Sequence, residues 1–382
     1  MHKLESFSLS ANAKIGKPSI EEFFFPILED KFICVSTYSD EGAKSYDYFD
    51  DVIFHIKPFL DKNGISILQV GKPKDRNLFY CKPYLNTNRL HSSYIINKSL
   101  LYFGNYNLYT NIASYKNKKI VCPINIEYSN SIFPYWSNED NCKFIQSNPD
   151  NIKPSLSVEE VNKTINEVKP EVIACQILDF LNIKHDLNKL ETIHIGKHYA
   201  NQLTEVVPFS GFDPNTQIGE DIVLRLDKST NIESLPSIAH KRKLSVVIRD
   251  NIDINVLKMI SQSISRITYF VTNKTKLDEI TSLSSIGKPL ALVSEDKKNI
   301  NKIRLKFIDY DIGLINKLNK SDCGIKKVTK DMQFLSRKNI VSNSQIYNSY
   351  LSESKSQNTT KVEDNPLLWE DSHHIRIFKN KA

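Results

Sequence analysis

The chain has 382 residues, 40% of them hydrophobic and 25% charged, with 11 glycines and 15 prolines. That length accommodates two ordinary domains with cores of their own, and the composition excludes a fibrous, low-complexity or wholly disordered chain. A formal charge of +7 is modest for this length: it suits anionic ligands or an acidic membrane surface contacted peripherally, and no nucleic-acid-binding motif accompanies it.

The opening residues lack the apolar core of a secretory signal, and no run approaches the length that spans a bilayer, so a cytoplasmic protein is expected. From Lys31 the pattern reads strand (KFICVST), polar loop, then a helix from about Tyr46 to Leu60. Tyr46, Phe49, Val52, Ile53, Ile56, Phe59 and Leu60 recur at helical spacing and form one apolar stripe. The next strand, ISILQVG, runs into a polar turn, a helical piece from about Ser92 leads to the strand SLLYFG, and the helix YTNIASY precedes the strand KIVCPI. Strands alternating with helices imply a parallel sheet covered on both faces.

Residues 125–155, rich in Pro, Asn and aromatics, are too long for an ordinary connection and read as a linker or functional loop. Ser157 and Glu160 form a capping-box pattern that opens a helix, and Pro170 opens another. From Glu191 to about Lys320 the alternation returns, with candidate strands TIHIG, DIVLRLD, LSVVIRD, ITYFVTN, PLALVSE and IRLKFIDYD. Several start about 22 residues apart, a leucine-rich-solenoid period, but the Leu and Asn ladder of such repeats is missing, and a second doubly wound domain fits better. The run HKRK (His240 to Lys243) reads as a solvated turn. Past Ser342 the chain is Ser- and Asn-rich and reads as mobile, with Leu367, Leu368 and Trp369 docking back. The expected organisation is a first α/β domain over 1–145, a helical linker over 146–190, a second α/β domain over 191–340 and a polar tail over 341–382. The six cysteines (Cys34, Cys81, Cys122, Cys142, Cys175, Cys323) are scattered, with no CxxC pair, and are expected to be reduced and mostly buried.

Two turns after strands of the first domain suit phosphate, because Gly allows close backbone approach and a following helix offers free N–H groups. One holds Gln69, Gly71 and Lys72; the other holds Gly104, Asn105, Asn107 and Asn111. Over about residues 31–124 this order resembles the donor-binding half of heptosyltransferase-type glycosyltransferases. The resemblance implies a GT-B-like fold of two Rossmann-like domains, a nucleotide-sugar donor as substrate, no cofactor and no metal. Lys44 with Tyr46 matches the family's Lys and aromatic at a helix start, where that Lys meets donor phosphate. Gln69 and Gly71 match its turn, and Gly104, Ala113 and Ser114 its last motif. Tyr106 stands where the family has Asp, and Asn111 where it has His. The donor half comes second in that family and first here, which implies a permuted order with the acceptor role after Glu191.

In that second half a base is sought among carboxylates and histidines. His194 lies near a strand end and His198 in the following loop, while Arg225 and Asp227 end a strand together as an anion-and-base pair. Asp309 and Asp311 form a DxD that offers an alternative metal site after a strand; His373 and His374, in the tail, lack partners. The implied function is transfer of a sugar from a nucleotide sugar to a saccharide or other hydroxyl acceptor, without nucleic acid. The competing reading is a non-catalytic nucleotide- or glycan-binding or assembly protein that kept the fold, and a solenoid interaction protein is a third.

Overall fold

The computed structural model describes residues 1–147, 163–196, 203–229, 231–249, 253–315, 318, 320, 323–336, 338–356 and 364–380. The protein is α/β and divides into two compact units, one of residues 1–193 with 378–382 and one of residues 194–377. Each is built on a largely parallel sheet, and that of the first is Rossmann-like.

In the first unit the order is α1 (Lys3–Ala11), β1 (Phe32–Ser36), α2 (Phe49–Lys62), β2 (Ser66–Val70), β3 (Lys82–Tyr84), α3 (Arg89–Lys98), β4 (Leu101–Gly104), α4 (Leu108–Tyr115), β5 (Lys119–Ile124), α5 (Ser129–Ile132), β6 (Cys142–Gln146) and α6 (Pro170–Phe180). The sheet order is β3-β2-β1-β4-β5-β6, parallel throughout. This is the doubly wound dinucleotide-binding order, whose direction reverses between β1 and β4. Strand residues alternate between two cores. Ile33, Val35, Ile67, Leu101, Phe103 and Val121 pack with α2 and α6, while Cys34, Leu68, Tyr102, Ile120 and Cys122 pack with α3 and α4. The α2 stripe is as the spacing predicts, with Val52, Ile53, Ile56 and Leu60 wholly buried.

Two expectations need correction here. The stretch read as linker or loop holds β6, a sheet edge on β5; only Cys142 of that strand is buried, so no apolar run marks it. The helix α6 belongs to the first unit's core through Ile173, Ala174, Ile177 and Leu178 rather than to a linker. The capping pair Ser157 and Glu160 lies outside the described residues.

The unit boundary falls inside β7 (Leu190–Gly196) and again inside a late strand, His374–Asn380. The second unit contains β8 (Leu203–Val206), β9 (Asp221–Arg225), α7 (Leu235–Ala239), β10 (Lys243–Ile248), α8 (Ile254–Met259), β11 (Ile264–Phe270), α9 (Leu277–Ser284), β12 (Leu290–Ser294), α10 (Lys297–Arg304), β13 (Asp311–Leu314), β14 (Met332–Leu335), β15 (Lys338–Ser342), β16 (Gln345–Tyr347), α11 (Tyr350–Ser354), α12 (Pro366–Asp371) and β17 (His374–Asn380). Here β8 to β13 lie side by side in sequence order and in parallel, with β15 outside β8. One core joins α7, α8, α9 and α10 to the same face of the strands, through Ile222, Leu224, Val246, Ile248, Ile267, Tyr269 and Leu292. The period near 22 residues is therefore that of a strand followed by a helix on one fixed side, a single winding rather than the expected double one; none of α7 to α10 packs on the other face, where Tyr350 of α11 meets Glu205 and Arg225.

The stretch expected as strand IRLKFIDYD is instead the end of α10, a turn and the first residue of β13. Asp296 caps α10, and Ile303 and Phe307 enter the core from it. Arg242, in the run read as a solvated turn, is buried and donates to the carbonyls of Pro214 (2.7 Å) and Thr216 (3.0 Å). The tail is also more ordered than its composition suggests. Asn343 and Ser344, both at positive φ, make the two-residue turn of the β15–β16 hairpin, and the Trp369 ring meets Phe334 edge-on. Among the described residues, no helix is long and apolar enough to cross a membrane.

His55, on α2, is buried with Nε2 3.1 Å from the Thr192 hydroxyl, and burial pushes its pKa down from 6.5 to about 4. Above pH 6.5 both folded and unfolded chains hold it neutral; below that, the unfolded chain gains the proton first, so stability falls as pH drops toward 4 by up to about 3 kcal/mol. We expect His55→Gln to flatten that pH dependence in urea unfolding followed through Trp136, in a Trp369→Phe background. An unaltered slope would assign the effect to other groups.

Candidate functional site

The reversal point of the first sheet opens a cleft of about 430 Å³ at the carboxyl ends of β1 and β4. Its floor depends on Gly104, with φ +152°, where an added Cβ would lie 2.2 Å from the Ser36 carbonyl oxygen. No other residue lets the two strand ends approach so closely. The buried Asn105 side chain then joins three segments: its amide donates to the Thr37 carbonyl (2.7 Å) and its oxygen accepts from the Tyr46 N–H (3.0 Å). Asn107 caps α4, its oxygen accepting from the N–H groups of Tyr109 (2.8 Å) and Thr110 (3.2 Å), while its amide donates to the Tyr38 carbonyl (2.9 Å). The helix N-terminus that sequence suggests for phosphate is thus largely satisfied by its own cap.

What faces the cleft is aromatic and charged. The rings of Tyr38 and Tyr109 meet edge-on with centroids 6.4 Å apart, and Lys72 lies 3.9 Å over the Tyr38 ring and bonds its hydroxyl. Asp40 accepts from the Tyr38 hydroxyl, which holds its pKa below the ordinary value. Lys44 contacts Glu41 (2.8 Å) and the buried Glu127 (3.1 Å); burial disfavours its charge, but those two partners more than offset it and raise its pKa. Arg89 also lines the cleft, exposed and without an ion-pair or hydrogen-bond partner among the described residues. It occupies the first turn of α3, where the helix dipole disfavours a cation.

The sequence-predicted donor residues separate accordingly. Lys44 and Lys72 line the cleft. Gln69 does not: it is fully buried, its amide donating to the Arg76 carbonyl (2.7 Å) and its oxygen accepting from the Leu78 N–H (2.9 Å), so it braces the loop after β2. Gly71 serves the same loop, where a Cβ would meet the Asp75 carboxylate at 2.3 Å. Asn105 is the internal brace described above. Asn111 sits one turn into α4, its amide donating to the Asn107 carbonyl (3.3 Å), and the pKa of Tyr106, at the other position that departs from the motif, is raised chiefly by burial. Tyr38, Arg89 and Tyr109 went unread, although Asn88 is a recognisable N-cap whose first helical residue is an arginine.

In the second unit, Arg225 and Asp227 do form a pair, and every nitrogen of the Arg225 guanidinium is taken by it and its neighbours. Both Asp227 oxygens accept from Arg225 at 2.8 Å, and the same guanidinium donates to Glu205 and to the Tyr350 hydroxyl (2.9 Å). Tyr350 donates to Glu205 (2.6 Å), and Lys338 reaches Glu205 (3.6 Å) and Asp371 (3.3 Å). This is a largely buried network of two cations, three carboxylates and a phenol. His194 is not isolated: its Nδ1 lies 3.0 Å from Nε2 of His374 with the rings stacked, so His374 has the partner that its tail position hid. His198 lies outside the described residues. Asp311 begins β13, at the amino edge of the sheet, and pairs with Arg266 at 2.8 Å; Asp309 is in the turn before it rather than after a strand. Among the described residues, no group of three His, Cys, Asp or Glu side chains could hold a metal ion.

No protein-family model matches the chain, and no curated protein matches it. Solved structures do. They include the ADP-heptose lipopolysaccharide heptosyltransferase II of E. coli (13% identity, 41% of this chain and 48% of that one, TM-score 0.33). A second is the iron-containing dodecameric glycosyltransferase TibC of enterotoxigenic E. coli (10% identity, 41% and 45%, TM-score 0.31). A third is a family 9 glycosyl transferase of Veillonella parvula (11% identity, 78% and 89%, TM-score 0.22). The chain spans about half the length of the first two.

Removing the Arg225 guanidinium leaves the buried Glu205 with Lys338 at 3.6 Å and takes from Asp227 the two bonds that hold it. Arg225→Ala should destabilise the second unit by about 3–5 kcal/mol, read from urea unfolding followed through Trp369. A loss below about 1 kcal/mol would mean that the network is solvated.

Proposed function

We propose that the first unit binds a nucleotide sugar, or the nucleoside diphosphate part of one, in the β1/β4 cleft, and that binding rather than sugar transfer is what this chain performs on its glycosyltransferase-like scaffold. The observation that carries this reading is the cleft itself: tyrosine rings beside cations, with Arg89 unpaired, at the switch point where doubly wound sheets take their ligands. Tyr38 and Tyr109 suit the faces of a base or sugar; Arg89 and Lys72 suit a diphosphate, Arg89 by bidentate contact. Lys44, to which the motif resemblance points, lines the same space and would meet the ligand by exchanging Glu41 for it.

Transfer needs a base within reach of an acceptor hydroxyl. Around this cleft Asp40, Glu41 and Glu127 each hold a phenol or an ammonium, and Tyr106 with Asn111 replaces the acid and the histidine of the motif. A transferase reading is favoured by that motif's preserved spacing, and it requires the base and the saccharide acceptor to come from the second unit in a permuted order. Calorimetric titration with ADP, UDP, GDP and their sugar conjugates, paired with an assay of nucleotide release over candidate acceptors, separates the two. Binding without release is the expected result; release would establish transfer, and absence of any binding would sink both readings. Arg89→Ala should raise the Kd about ten-fold, equivalent to about 1.4 kcal/mol, and an unchanged Kd would remove Arg89 from the site.

A further inference from the structure

The free face of the second sheet has a site of its own. A trough of about 320 Å³ crosses the carboxyl-terminal halves of β9 to β12. The strand register sets Arg225, Val247 and Thr268 side by side, and two residues further along the same face come Asp227, Arg249 and Phe270. Because α7 to α10 all pack on the opposite face, these rows are left to a ligand, as on the open face of stacked strand-and-helix repeats.

We propose that this trough binds a small acidic sugar, a polyhydroxylated ring bearing one carboxylate or phosphate group. Arg249 supplies the charge. Its guanidinium lies over the Phe270 ring at 5.7 Å and has no ion-pair or hydrogen-bond partner among the described residues. The ring orients the guanidinium without neutralising it, leaving its N–H donors for an anion. Beside it, Asp227 is fixed by Arg225 through one bond to each oxygen, and each oxygen keeps a lone pair for a sugar hydroxyl. The Thr268 hydroxyl faces the same space. The lining carries four cations (Arg225, Lys228, Arg249 and Lys338) against three carboxylates (Glu205, Asp227 and Glu295), and a surplus of one positive charge suits one acid group on a hydroxyl-rich ligand better than a nucleic acid or an acidic peptide.

This inference does not rest on the reading of the first unit's cleft. Ligand-observed NMR on the full chain with glucuronate, glucose 6-phosphate, glucose and inorganic phosphate tests it. At least one acidic sugar should bind, glucose at least ten-fold more weakly, and the stronger of the two acids identifies the preferred group. Arg249→Ala should raise the Kd at least ten-fold with an unchanged melting temperature, whereas Arg89→Ala should leave it as it is. Equal binding of glucose, phosphate alone matching glucose 6-phosphate, indifference to Arg249→Ala, or no binding of either acid would each overturn the proposal.

Discussion

Everything in the first unit follows from how closely the ends of β1 and β4 can approach. The strands meet at a carbonyl, that of Ser36, which leaves no space for a side chain on Gly104. Bringing two strand ends this near puts their following loops against each other with backbone donors and acceptors to satisfy. Asn105 and Asn107 satisfy them, each using both ends of its amide. The result is a stiff rim, and a chemical consequence comes with it. Groups that a phosphate could have used are turned inward, so the nucleotide proposed for this cleft is left to longer side chains that reach over the rim: Arg89, Lys72 and the tyrosines.

The two sheets show how winding decides where a ligand can go. When the strand order reverses, helices cover both faces and the open place is the crevice at the reversal. When strands follow one another in sequence order, the helices cover one face and the open place is the face itself. Burial along the strands records the difference. In β1 every residue is buried, whereas in β10 buried residues alternate with half-exposed ones. The outward residues of the second sheet are thus both half-wet and rigidly spaced, which lets Arg225 form a network with carboxylates while Arg249, two positions later on the neighbouring strand, stays open.

How much of this could be read in the sequence depends on whether the signal is local. The α2 stripe was legible because burial on one helix face imposes its own period on Val52, Ile53, Ile56 and Leu60. The pairing of strands with helices was legible for the same reason. Residues 303–311 were misread because an apolar run of that length fits either a strand or the last turn of a helix, and the deciding contact, Phe307 in the core, is remote in sequence. Gln69 and Asn105 were read as ligand groups because Gly, Asn and Gln after a strand look alike whether they meet a phosphate or brace a loop. Only the position of Thr37, Tyr46, Arg76 and Leu78 distinguishes the two, and none of those is a sequence neighbour.

Charge shows the same division between what is built in and what is left over. Lys44 and Arg225 look in sequence like anion-binding cations, yet each faces carboxylates with which it is buried or half-buried. A buried cation must be paired, because desolvation would otherwise cost several kcal/mol, so depth in the fold and availability to a ligand work against each other. The cations that escape this are exposed and held by something other than a carboxylate: Arg249 by an aromatic ring, Arg89 by the first turn of a helix that gains nothing electrostatically from it. An unpaired arginine at the carboxyl end of a parallel sheet is therefore a better guide to a binding site in this protein than a lysine at a family motif position.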